Sequence, residues 1–160
     1  MYESGMLRLY ERIFDLSQTE LLEKKILNYR PHQTTFESEI TALGGHCVSF
    51  NPACLTTSPV TLPYDDFFFD LALSVDYFFE KKNNKSIEAR FFEMVELARV
   101  AKEVRIFPLG ELQDGQISFL GPLLLRLQQE KLGAEVRSLK EAVDGQHAFL
   151  RIWALQCPLI

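Results

Sequence analysis

The turn that follows the first apolar strand of this sequence contains no glycine. Residues Lys25–Gly44 read KILNYRPHQTTFESEITALG, a short apolar strand, a turn and a helix, and the turn itself is Tyr29-Arg30-Pro31-His32-Gln33. Such a unit opens many α/β sheets, and its turn is where nucleotide-type cofactors dock against bare backbone and a helix N-terminus. Glycine normally allows that approach because it has no Cβ to collide with the ligand. Positive charge is also scarce. The chain has 17 Lys and Arg against 22 Asp and Glu, a net charge of −5, which argues against a nucleic-acid partner or an anionic membrane surface. Only three cysteines are present, Cys47, Cys54 and Cys157, an odd count without CxxC spacing. They read as free thiols of a reducing compartment, hence a cytoplasmic protein. His32, His46 and His147 show no ligand spacing, so no metal site is expected. Runs such as Phe67-Phe68-Phe69 and Leu71-Ala72-Leu73 are too short to cross a bilayer. The opening stretch MYESGMLRLYER has no apolar core of a signal peptide and leaves little room for a substrate-recognition domain.

What is present is a chain of 160 residues, 47% hydrophobic, enough for a real core and read as a single domain over residues 1–160. Strand-like and helix-like segments alternate, the α/β pattern. Met6, Leu7, Tyr10, Ile13 and Phe14 share one helical face. Ser17 and Glu20 are spaced as a capping box for a short second helix, and Thr34 and Glu37 as another, which predicts a helix from about Thr35. Gly44 or Gly45 ends that helix. Strands are expected at Lys25–Asn28, His46–Asn51, Phe68–Ser74, Val104–Leu109, Ala134–Leu139 and His147–Leu155. At most a short edge strand fits around Pro59–Leu62, since proline suits edges. Ser86 caps a long helix with a face of Ile87, Phe91, Met94, Val95, Ala98 and Ala101. Gly110–Gly121 reads as a loop, and Pro122 opens the last helix, where its missing N–H costs nothing.

The block LPYDDFFFDLALS (Leu62–Ser74) resembles the segment leading into the fourth strand of class I S-adenosylmethionine (SAM)-dependent methyltransferases. KILN (Lys25–Asn28) falls where their first strand stands, and LGGHCVSFNP (Leu43–Pro52) resembles their second. ARVAKEVRIFPL (Ala98–Leu109) resembles their helix-to-fifth-strand passage, and DGQHAFLRI (Asp144–Ile152) the return into their antiparallel seventh strand. The blocks run collinearly from Lys25 to Ile152, and two of them are similar to an uncharacterised bacterial subgroup of methyltransferase-like proteins. The resemblance implies a three-layer αβα sandwich of Rossmann-like type. Its sheet would have seven strands in the order 3-2-1-4-5-7-6, mostly parallel with an antiparallel last strand, the third being short or absent.

It also implies where a cofactor would sit, and those positions depart from the family pattern. The first strand usually ends in an acid followed by small residues; here they are Asn28, then Tyr29, Pro31 and His32. The second strand usually ends in an acid that accepts both ribose hydroxyls. Here it is Asn51, whose amide offers one acceptor oxygen and a donor group. A third acid, near the adenine, aligns with Ser58. One lost charged hydrogen bond costs roughly 1.5–3 kcal/mol, so two weaken SAM binding by about 10² to 10⁴-fold. His32 is a candidate general base at a helix N-terminus or simply a plugging side chain. Asp76, after the fourth strand, is a candidate base or substrate-orienting group or a turn-capping carboxylate, with Ser74 and Tyr77 beside it. Tyr29 and Arg30 are candidates to fill the cofactor volume. Tyr77-Phe78-Phe79 and Phe67–Phe69 are either core or an exposed patch for a protein partner or a second copy. Trp153 is expected to be buried.

Three functions remain open on these residues. The first is a methyltransferase-fold protein that has lost ordinary SAM binding, uses no cofactor and acts through protein contacts. The second is an active SAM-dependent methyltransferase of a small molecule with altered contacts. The third is a pocket turned to another metabolite.

Overall fold

A computed structural model describes residues 5–31, 34–54, 61–80, 83, 85–109 and 117–155. Six strands form one sheet: β1 (Lys25–Tyr29), β2 (His46–Phe50), β3 (Phe69–Val75), β4 (Ala101–Phe107), β5 (Leu132–Val143) and β6 (Gln146–Ala154). The helices are α1 (Met6–Phe14), α2 (Gln18–Glu23), α3 (Phe36–Ala42), α4 (Ile87–Val100) and α5 (Ile117–Gln129). The sheet order is β2-β1-β3-β4-β6-β5. β1, β2, β3 and β4 pair in parallel, and β6 runs antiparallel to both β4 and β5. This is the expected order with the third strand removed, so the sheet has six strands among the described residues rather than seven. Thr61 and Leu62 are not in a strand, and residues 55–60 lie outside the described ones.

The two faces of the sheet carry separate cores. Ile26, Leu71, Leu73, Val75 and Phe149 pack under α1, α2 and α3, with Tyr10, Phe14, Leu21, Phe36 and Ile40. Leu27, Tyr29, Ala72, Val104, Ile106 and Leu150 pack under α4 and α5, with Phe91, Met94, Leu97, Leu123 and Leu127. The central strand β3 is therefore covered on both sides, which is why its sequence is continuously apolar.

Local signals and tertiary demands agree in some places and part in others. The Ser17–Glu20 capping box is present in both directions. Gly44 takes φ 89° and ends α3, with Gly44 N–H donating to Thr41 O and Gly45 N–H to Ile40 O. The Thr34–Glu37 box does not form. α3 begins at Phe36 after Thr35, which makes no side-chain cap, and the Glu37 carboxylate is drawn into the sheet instead. α5 begins at Ile117 and holds Pro122 inside it, where the ring removes one bond, to the residue 118 carbonyl, near the helix start. β4 stops at Phe107 because Pro108 has no N–H to continue the ladder. On α4, Ile87 is exposed, while Glu93 and Glu96 join Phe91, Met94, Leu97 and Ala98 in the buried stripe.

Trp153 on β6 is half-buried, not buried. Its indole lies over Gly133 of β5, where an added Cβ would stand 2.1 Å from Trp153 Cε2 and 2.3 Å from Cζ2. Arg151 covers the ring at 4.5 Å. Gly133→Ala should therefore destabilise the fold by about 1–3 kcal/mol. Urea unfolding followed by the fluorescence of this single tryptophan measures it, and an unchanged midpoint would show that the indole swings aside freely.

Candidate functional site

The four parallel strands end together, and the segments leaving them form one edge of the sheet: Arg30–Pro31 after β1, Asn51–Cys54 after β2, Asp76–Glu80 after β3 and Pro108–Leu109 after β4. Crevices at such carboxyl ends are where α/β folds place ligands.

Asn28 is the innermost polar residue of this edge and is fully buried. Its Oδ1 accepts from Tyr10 Oη of α1 at 2.9 Å, and its Nδ2 donates to Glu37 Oε1 of α3 at 2.8 Å. Glu37 also accepts from Ser49 of β2 and, through Oε2, from Thr34 Oγ1 at 3.2 Å. One carboxylate thus gathers β1, β2 and the turn before α3. Its position three residues after Thr34 suggested only a cap, and no sequence signal tied it to Asn28.

Tyr29 points to the other face. It is buried among Phe50, Tyr77 and Phe78, with ring centroids 5.7–5.9 Å away. Its hydroxyl donates to Glu93 Oε1 at 2.7 Å. Tyr77 donates to both oxygens of Glu93, at 2.7 and 3.0 Å, and Lys85 Nζ completes the set at 3.0 Å. Burial, then the Glu93 carboxylate, pushes the Tyr29 phenol far above its ordinary value, and the same pair of causes raises Tyr77. Glu93 was absent from the sequence-based candidates. The signal that could have found it is a glutamate inside the apolar face FFEMVELA of α4, since a buried acid needs donors aimed at it. Tyr77, Phe78 and Phe79 are all buried, so they are core and form no exposed patch; of Phe67–Phe69, Phe68 is exposed and Phe69 buried.

Ser74 is buried and its Oγ donates to Tyr29 O at 2.8 Å, joining the ends of β3 and β1. Asp76 follows in the left-handed region at φ 57°, its N–H donating to Phe107 O at 2.9 Å. Asp76 Oδ2 lies 4.0 Å from Arg30 Nη2. Pro31 is half-buried. Asn51 Oδ1 accepts from Ala53 N–H at 2.9 Å, closing the turn after β2. His32 and Ser58 lie outside the described residues. Asn28, Tyr29, Ser74 and Asp76 thus lie within or beside one hydrogen-bonded edge, whereas Asn51 is exposed at its rim.

The protonated groups here are fixed donors. Burial pushes the Tyr10 phenol up to about 12, against the opposing pull of Arg30, and burial likewise raises the Cys47 thiol to about 12. Neither is a nucleophile at neutral pH. No group of three or more His, Cys, Asp or Glu among the described residues is placed to hold a metal ion, and no described helix is long and apolar enough to cross a membrane.

The strand order β2-β1-β3-β4-β6-β5, with its antiparallel β6, is the methyltransferase arrangement less one strand. The chain has a Rossmann-like α/β sheet in the order that the sequence resemblance implied, less its third strand. No family model and no curated protein matches the sequence. Among solved structures it is similar to a SAM-dependent methyltransferase from Methanosarcina mazei, at 12% identity and TM-score 0.46 over 82% of this chain and 92% of that one. It is also similar to a chain of the complex between the Haloferax volcanii Trm112 methyltransferase activator and the putative methyltransferase, at 12% identity and TM-score 0.48 over 94% and 92%. A SAM-dependent methyltransferase from Aquifex aeolicus matches at 13% identity and TM-score 0.47 over 96% and 98%. These likenesses are remote and concern the fold alone.

Two outcomes follow from the buried network. Asn28→Asp replaces the amide donor facing Glu37 with a second carboxylate, and should cost about 3 kcal/mol or more at neutral pH. Repulsion raises the folded-state pKa of the pair, so protonation favours the fold and the deficit should shrink as pH falls toward about 4. Urea unfolding of both proteins across that range measures it; a constant deficit would contradict the contact. Tyr10, held at about 12 in the fold against about 10 in an unfolded chain, contributes stability that is whole below the lower value and lost as pH rises to the upper. Alkaline loss of stability should therefore be shallower in Tyr10→Phe than in the parent.

Proposed function

We propose that this protein uses a methyltransferase-type fold without ordinary SAM binding, and that it works by binding rather than by methyl transfer. The observation that carries this reading is Asn28. The family pattern places a carboxylate there, free to serve the cofactor. In this chain the residue is an amide whose oxygen and nitrogen are both spent inside the protein, on Tyr10 and Glu37. The side-chain oxygen of Asn51 is spent on Ala53 N–H, and Arg30 follows β1 where the pattern has small residues. The residues present do not fit the group. A cytoplasmic setting goes with this reading, supported by Cys47 as a free thiol. Action through a protein partner also goes with it. With Tyr77–Phe79 in the core, its support moves to Leu43 after α3 and Val48 on β2, which are 49% and 41% exposed.

One observation favours the second reading, a working enzyme with altered contacts. Glu37 supplies, from α3, a carboxylate beside the ends of β1 and β2 that Asn28 and Asn51 lack. Its two oxygens already accept three hydrogen bonds, which leaves little acceptor capacity for ribose hydroxyls.

Calorimetric titration with SAM and with S-adenosylhomocysteine separates the two. The expected result is no saturable heat at micromolar concentrations. Micromolar affinity that Glu37→Gln abolishes would refute the loss of binding and establish the altered site.

A further inference from the structure

Arg30 stands on the carboxyl edge, and among the described residues one side-chain hydrogen bond is made by its guanidinium. Its main chain is fixed, because Arg30 N–H donates to Phe50 O at 3.1 Å and continues the β1–β2 ladder by one residue. Its side chain is 10% exposed. Nη1 donates to Tyr10 Oη at 3.4 Å, the long end of the range. Nη2 is 4.0 Å from Asp76 Oδ2, too far for a hydrogen bond. Nε is buried and has no partner. Among the described residues, the Nε/Nη2 edge of the guanidinium therefore carries no hydrogen bond. A buried guanidinium in that state is costly unless something pairs with it.

We infer that the Nε/Nη2 edge of Arg30 receives the carboxylate of a small organic acid at the carboxyl ends of β1 and β3. That edge presents two parallel N–H groups, the geometry that a planar carboxylate matches with two oxygens. Asp76 does not fill this role. Its backbone is held toward β4 by the bond to Phe107 O, and its carboxylate stops at 4.0 Å. It is about a third exposed, so it can turn to water when another carboxylate takes its place. Supporting groups are already fixed. Tyr10 is held by Asn28, and Ser74 pins the Tyr29 carbonyl just before Arg30. Shape selects the anion, since a planar carboxylate matches the fork and a tetrahedral phosphate suits it less well. This inference goes beyond the function proposed above and rests on it in one respect, that an ordinarily seated SAM does not occupy the edge.

The test is thermal unfolding of the full chain titrated with sodium succinate, with inorganic phosphate and sodium chloride at matched ionic strength as comparisons. Succinate is expected to raise the midpoint saturably, and phosphate and chloride are not. Arg30→Lys keeps the charge and loses the fork, so half-saturation should shift up by about tenfold or more. Asp76→Asn removes the competing carboxylate from an exposed position, so half-saturation should shift down several-fold. The inference is overturned by no saturable rise with succinate, by equal responses to all three salts, by an unaltered response in Arg30→Lys, or by weaker binding in Asp76→Asn. SAM is titrated in parallel. A SAM response that survives Arg30→Lys overturns the loss of ordinary SAM binding, while the succinate result alone decides the carboxylate receptor.

Discussion

A buried amide must find a partner for each of its polar ends, and Asn28 meets that demand with groups from two different helices. It sits at full burial near the end of β1, in the middle of the α1–α3 layer. An unmatched amide there costs on the order of 1–3 kcal/mol per group. The match to Tyr10 fixes how α1 lies on the sheet, and the match to Glu37 fixes α3. The two helices are then locked to each other by the stacked rings of Tyr10 and Phe36, 3.9 Å apart, and by the Glu39 carboxylate, which accepts from Leu7 N–H at 2.7 Å and Gly5 N–H at 3.3 Å. Much of the carboxyl edge on this face follows from one residue type at one position.

The opposite face is organised by buried acids on α4. Glu93 holds Tyr29, Tyr77 and Lys85. Glu96 accepts from Leu62 N–H and pairs with Arg99, which also reaches Leu62 O and Asp66. Arg90 donates to the carbonyls of Lys85 and Phe78. The loops flanking β3 are therefore tied to one helix by charge-assisted bonds centred on the buried carboxylates of Glu93 and Glu96. Glu93 and Glu96 among the buried residues, with Ile87 and Phe92 exposed, leave α4 only weakly amphipathic in sequence.

Function and fold separate in this molecule. A sheet order says how strands are arranged and where a crevice falls; it does not say what fills the crevice. In this chain Asn28 is turned inward as a structural partner of Tyr10 and Glu37, and the Arg30 guanidinium beside it keeps a buried Nε without a partner.

The α/β alternation, the positions of β1, β2 and β3, the caps at Ser17, Gly44 and Ser86, and the resemblance that predicted the strand order were all legible in the chain, because they depend on periodicity and local backbone preference. So was the oddity of Asn28, Asn51 and the glycine-free turn, because a missing residue type shows without coordinates. Tertiary structure alone decided which way those residues face. Tyr29 went under α4 rather than into the crevice because Glu93 and three aromatic rings lay there, and Glu37 serves the buried Asn28 amide rather than a reciprocal capping box. Local propensities are worth tenths of a kcal/mol to about 1 kcal/mol, whereas satisfying a buried polar group is worth more. Contacts between residues far apart in sequence therefore settled the site, and no short window of the chain contains them.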